Sequence, residues 1–179
     1  MPPEESIALV DGILAPWREK IGADWDGYRN HAQRVARFAC ALSVAAPDTQ
    51  RKIAIAAAFH DLGIWSDGTF DYLPPSVARA RDFLHAQGLD AWAPEIERMI
   101  AMHHRVRACG EPDDALVEAL RRADLVDLSL GFVSFGLDRA LVATVKDEFP
   151  NAGFHRCLAG LLAGWFREHP LSLPPFLRW

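Results

Sequence analysis

The chain has 179 residues, half of them apolar and about a quarter charged, with a formal net charge of −5 and a sequence pI near 5.8. That length suits one domain with a sizeable core, and the composition is ordinary for a soluble globular protein. The acidic balance argues against a nucleic-acid groove or an anionic membrane surface, while a small phosphate substrate needs only a local cluster of Arg, His or metal.

Cys40, Cys109 and Cys157 lie far apart with no CxxC pair, which fits reduced thiols packed in a core better than a disulfide framework. Met1-Pro2-Pro3-Glu4-Glu5 is acidic where a signal peptide would be basic. The apolar run from Cys157 to Phe166 is too short to span a bilayer. A soluble, cytoplasmic protein is expected, with no membrane and no nucleic acid among its partners.

Ile7, Val10, Ile13, Leu14 and Trp17 predict a first helix over Glu4 to Lys20, broken by Gly22 and Asp24-Trp25-Asp26-Gly27. Tyr28 to Ala46 reads as a second, with His31, Val35, Phe38 and Leu42 on one stripe, so that His31 points inward. Pro47 closes it, and Asp48 or Thr49 caps a helix running from Thr49 to Leu62. That helix is apolar nearly all round and therefore central. His60 and Asp61 stand at its end, with Gly63 as a stop. Ser66 to Pro75 reads as a loop carrying Phe70 and Tyr72, placed to wall or cover whatever His60 and Asp61 form.

Ser76 is expected to cap a helix ending at Gln87 before Gly88. The next, from Asp90 or Pro94 to Ala108, carries Ile96, Met99, Ile100 and the pair His103-His104, and ends at Gly110 and Pro112. Asp113 or Asp114 begins another, in which Asp124 sits among Ala123, Leu125 and Val126, where an unpaired carboxylate is out of place. Two more span Leu137 to Phe149 and Phe154 to His169, before an apolar, proline-rich tail over residues 170–179. No sustained period-two alternation appears. The fold class is all-α, a single-domain bundle of seven or eight helices.

A buried His-Asp pair needs a partner, because a desolvated carboxylate requires a cation or several donors. A helix end with His60 on carbonyls and Asp61 in water is the other reading of the pair. His31, His60, Asp61 and Asp124 occupy three helices at positions marked as buried, as inward ligands do in helix bundles. Two imidazoles and two carboxylates suit one divalent ion, Mn, Fe, Co, Ni or Mg, with Zn also open.

The order His31, then His60-Asp61, then Asp124 resembles the H…HD…D signature of the HD superfamily of metal-dependent phosphohydrolases. Tyr28-Arg29-Asn30-His31, Ala57-Ala58-Phe59-His60-Asp61-Leu62-Gly63 and Ala123-Asp124-Leu125-Val126-Asp127 carry the likeness, over roughly residues 28–128. The resemblance implies an HD-type bundle with those four side chains as metal ligands. It also implies a metal-bound water ionised to hydroxide that attacks phosphorus in a small phosphomonoester or nucleotide. Relatives with two metals carry a histidine at the start of the intervening helix, where this chain has Ser76, which weakens a second metal. His103 and His104 fall where such relatives place a histidine pair. They are expected to contact substrate phosphate or act as general acid, alongside Asp61. Adjacent on a helix they point about 100° apart, so at most one of them is expected to face the metal easily.

Many relatives also carry a charged residue just after the HD pair; here Leu62-Gly63-Ile64-Trp65 follows, leaving Asp67 or Asp71 as proton handlers. Arg34 and Arg105, ahead of Arg29 and Arg122, are the arginines expected at the phosphate, and Trp65 and Tyr72 the aromatics expected against a base or ring. Two alternatives stand beside hydrolysis: a di-iron oxygenase like the inositol-oxygenase branch, and a nucleotide-sensing module without turnover. The tail permits a homodimer contact.

Overall fold

The structure, a computed structural model, describes residues 3–105, 107–108 and 114–178. The sequence readings at Cys109, Gly110, Pro112 and Asp113 lie outside the described residues. Ten α-helical segments, and no strand, appear among the described residues: α1 (Pro3–Leu14), α2 (Arg18–Ile21), α3 (Trp25–Leu42), α4 (Thr49–Phe59), α5 (Gly63–Ser66), α6 (Leu73–Ala86), α7 (Ala93–Met102), α8 (Ala115–Leu128), α9 (Arg139–Glu148) and α10 (Phe154–Glu168). None is long and apolar enough to cross a membrane.

α3 is the axis of the arrangement. It packs on α8 and α4, while α1 lies on α4, α7 bridges α4 and α8, and α6 lies on α7. Val35, Phe38, Ile53, Ile55, Leu62, Leu84, Ile96, Met99, Leu120 and Val126 form one continuous core. The alanine run of α4 is buried throughout, because small side chains let α1, α3, α6, α7 and α8 approach it closely.

Several boundaries differ from the sequence reading. The first predicted helix ends at Leu14, since Pro16 turns Ala15–Trp17 into a 3-10 stretch before α2. α3 starts at Trp25, three residues early, with Gly27 inside it. A Cβ on Gly27 would lie 3.2 Å from the Ala152 carbonyl and the Phe154 amide, so glycine lets the 152–154 turn touch α3. Gly63 is not a helix stop: α4 already ends at Phe59, three residues short of the expected end, His60 and Leu62 keep right-handed dihedrals in the turn that follows, and Gly63 opens α5. Its requirement is space, because a Cβ there would sit 2.3 Å from the Tyr72 carbonyl. Ser76 is not a cap either. α6 begins at Leu73, and the buried Ser76 hydroxyl accepts a hydrogen bond from the Gly63 amide, 2.9 Å. α7 stops at Met102, six residues short of the expected end.

Candidate metal centre

Four elements converge where the sequence reading expected three. His31 projects from the middle of α3, His60 and Asp61 from the turn that ends α4, Asp124 from α8, and His103 from the turn after α7. All five are essentially buried. One ligand atom each from His31, His60 and Asp61 lie within 4.8 Å of one another, and Asp61, His103 and His104 form a second such group. Asp124 Oδ1 is 3.5 Å from His31 Nε2 and 3.8 Å from His60 Nε2. Asp61 Oδ2 is 3.6 Å and 3.4 Å from the same nitrogens. The expectation that at most one of the two adjacent histidines faces the cluster is corrected: the helix ends before them, and both rings reach it.

The hydrogen bonds orient each ring. His60 Nδ1 donates to the Ala57 carbonyl at 2.7 Å, and His103 Nδ1 donates to the Ile100 carbonyl at 2.7 Å. His60 Nε2 therefore faces inward as a lone pair, and His103 Nε2 faces Asp61, whose carboxylate raises the His103 pKa against the effect of burial. His31 Nδ1 donates to Asp127 Oδ2 at 2.6 Å and its ring stacks on Phe154, centroids 4.0 Å apart. Its Nε2 lies 2.9 Å from His60 Nε2. Two ring nitrogens that close cannot both present lone pairs, so a proton or a cation belongs between them. Asp61 Oδ1, Asp124 Oδ1 and His103 Nε2 are buried with no hydrogen-bond partner. Orphaned buried acceptors are costly, and a divalent ion is the partner that three inward nitrogens and two carboxylates suit.

The electrostatics follow the same pattern. Burial alone would lower the His31 pKa, but its hydrogen bond to Asp127 and the nearby Asp61 and Asp124 raise it to about 9. Burial, with His103 and His31 beside it, pushes His60 down to about 3. As the side chains stand, His31 holds the proton and His60 accepts it. Burial lifts Asp124 to about 7, whereas the surrounding histidines, His60 foremost, hold Asp61 well below the carboxylate range against its own burial.

Asp127 is the residue that the sequence reading missed. It receives His31 on one oxygen and is gripped by Arg34, Nε to Oδ1 at 2.5 Å and Nη2 to Oδ2 at 2.8 Å. Arg34 Nη1 donates onward to the Phe149 carbonyl, 2.9 Å. Arg34, expected at a phosphate, is buried and committed to this network. The signal was available: Asp127 follows Asp124 by three residues, which places both on one helix face.

The other residues named from sequence divide. Tyr72 is buried beside His104, its hydroxyl 2.5 Å from His104 Nε2. Trp65 is turned away, its indole donating to Asp24 at 3.0 Å with its ring against Tyr28. Arg105 is exposed in the turn after α7. Arg29 pairs with Asp11, Arg122 with Glu118, and Asp67 with Arg79. The thiols of Cys40 and Cys157 are both pushed up to about 11 by burial, which removes them as nucleophiles.

Comparison with family models, with curated proteins and with solved structures finds no match to this chain.

Proposed function

We propose that the protein is a metal-dependent phosphohydrolase of the HD type, acting on a small phosphomonoester or nucleotide. The observation that carries this reading is the pair of imidazole nitrogens 2.9 Å apart beside two buried carboxylate oxygens without partners. His31, His60, Asp61 and Asp124 would hold the ion. When bound, it supplies positive charge at a phosphoryl oxygen and lowers the pKa of a coordinated water.

The chain's own groups do the remainder. Asp127 fixes the tautomer and the plane of His31, and the Ala57 carbonyl does the same for His60. Tyr72 keeps its proton, because burial and then Asp61 raise its pKa well above the ordinary phenol value. It is therefore a donor that orients His104. In hydrolysis the oxygen of water forms the new bond to phosphorus and the ester P–O bond breaks. The proton that the water gives up ends on the departing oxygen, and His104, held neutral because burial lowers its pKa well below the ordinary imidazole value, faces that step as a hydrogen-bond partner oriented by Tyr72. His103 adds an imidazole nitrogen 3.3 Å from Asp61 Oδ1, on the opposite oxygen from His31.

A second reading, two irons with O2 as oxidant, is favoured by the group Asp61, His103 and His104. Ser76 weighs against it, since its hydroxyl is occupied by the Gly63 amide. Elemental analysis of purified protein separates one bound divalent ion from two irons, and a phosphate-release screen on nucleotides and sugar phosphates tests turnover. Protein that binds no divalent metal, or phosphate release unchanged in Asp61→Ala, would refute the hydrolase reading.

A further inference from the structure

A cavity of about 220 Å³ opens directly beside the cluster. Asp61, Tyr72 and His104 form its polar end. The rest is aliphatic and aromatic, including Phe70, Leu128, Leu158, Leu162 and Phe176, and no lysine or arginine is among the described residues that line it. The arginines expected at a phosphate are engaged elsewhere or, in the case of Arg105, exposed and absent from the lining.

Leu128 and Leu158 join this wall to the main core, but the rest of it is separate. Ile64, Tyr72 and Leu73 make a small separate cluster, closed by Leu161 of α10 and Phe176 of the tail. Phe176 packs its ring 4.7 Å from His104, 5.5 Å from Tyr72 and 5.2 Å from Phe70. The tail is held in place where the Trp165 indole donates to the Ser172 carbonyl at 3.0 Å. Leu162 and Leu177 line the cavity yet remain 36% and 40% exposed, so apolar surface is left for an occupant to cover.

Volume and charge select the occupant. An apolar cavity of roughly 150 Å³ is enough to bind benzene. This one is somewhat larger, which suits a single substituted ring. A polyphosphate would bring several negative charges to a chamber whose described lining residues include no Lys or Arg and do include the carboxylate of Asp61. We propose that the cavity receives the apolar organic group of the substrate, a small aromatic or branched-alkyl phosphomonoester, with Leu162 and Phe176 setting that preference. The phosphoryl end of this inference rests on the hydrolase reading; the apolar end does not.

The test uses the full chain loaded with Mn²⁺ and two ligands with the same headgroup, phenylphosphonate and methylphosphonate, followed by calorimetry. Phenylphosphonate is expected to bind at least about tenfold more tightly, the ring being the sole difference. Leu162→Glu, at a half-open position that tolerates a polar side chain, is expected to erase that ratio. Equal affinities, failure of both ligands to bind, or a ratio unchanged in Leu162→Glu would overturn the inference. Turnover of phenyl phosphate against AMP completes it: phenyl phosphate is expected to have the higher kcat/KM. Faster AMP turnover overturns the inference and leaves the hydrolase reading standing. A clear phenyl preference in binding without any phosphate release supports the cavity and refutes the hydrolase reading.

Discussion

Asp127→Asn isolates the role of the buried network behind His31. Asparagine has nearly the same shape but one acceptor oxygen, and its amide nitrogen must then face either His31 Nδ1–H or the Arg34 fork. Leaving one buried donor unsatisfied costs about 1–3 kcal/mol. Removing one partner of a buried ion pair costs about 3–5 kcal/mol. Arg34 keeps the carbonyls of Phe149 and Pro150 at 2.9 and 3.2 Å, which offsets part of that loss. A destabilisation of about 3 kcal/mol is therefore expected, a fall in Tm of roughly 6–12 °C for a domain of this size. Metal affinity should fall further than that of a neutral surface control, by about 10- to 100-fold, because the His31 ring loses the carboxylate that orients it and raises its basicity. Calorimetric titration with Mn²⁺ or Zn²⁺ at a temperature where the variant is folded reads the second effect separately from the first. An affinity within about threefold of the parent chain would refute the claim that Asp127 anchors His31 for metal binding.

Metal at a free concentration 100 times its Kd should stabilise the fold by about 2.7 kcal/mol, raising Tm by roughly 5–11 °C, and a chelator should reverse the shift in a thermal melt. Metal entry must displace the proton on His31, whose pKa is about 9, so apparent affinity should rise about tenfold per pH unit between pH 7 and 9 and level off above. Below pH 7 the slope should steepen as Asp124, at about 7, also takes up a proton; a flat profile contradicts the assigned ligands. In the apoprotein the raised His31 pKa gives stability that is fully present below about pH 6.5 and lost as pH rises through 9, measurable by urea titration across that window. Gly63→Ala should cost about 1–3 kcal/mol, because its Cβ would meet the Tyr72 carbonyl at 2.3 Å and force the loop outward; a variant of unchanged Tm would remove the steric account.

The all-α class was legible because each helix carries its apolar stripe, and the central place of α4 followed from a segment with no polar face. The convergence of His31, His60, Asp61 and Asp124 was legible for a related reason: a polar group at a core position announces that something must satisfy it. Asp127 shares a helix face with Asp124, but its partners were not legible: only the fold shows Arg34 meeting it across 93 residues. Phe154 and Phe176 were hidden more deeply. Nothing local marks an aromatic residue at a helix start or in a tail as the one that packs on a histidine 123 or 72 positions earlier, and packing alone decides it. Helix ends misread at Leu73 and Met102 reflect prolines accepted within the first turn of α6 and a chain that turns before His103.

The ties that shape His31 have a temporal side. During synthesis α3 and α4 emerge together and can pack through contacts close in sequence, bringing His31, His60 and Asp61 side by side. Their counterpart on α8, Asp124 with Asp127, is made only after some sixty further residues, and the Phe149 carbonyl that receives Arg34 later still. Until α8 docks, Arg34 and His31 stay open to water and lack the Asp127 carboxylate, and Asp124 is missing from the ligand set. Docking of α8 buries these groups and supplies their partner in the same step, so no charge is desolvated before its counterion arrives. Ligand geometry is therefore expected to appear together with the α3–α8 contact, and a fragment that stops short of α8 is expected to lose metal binding.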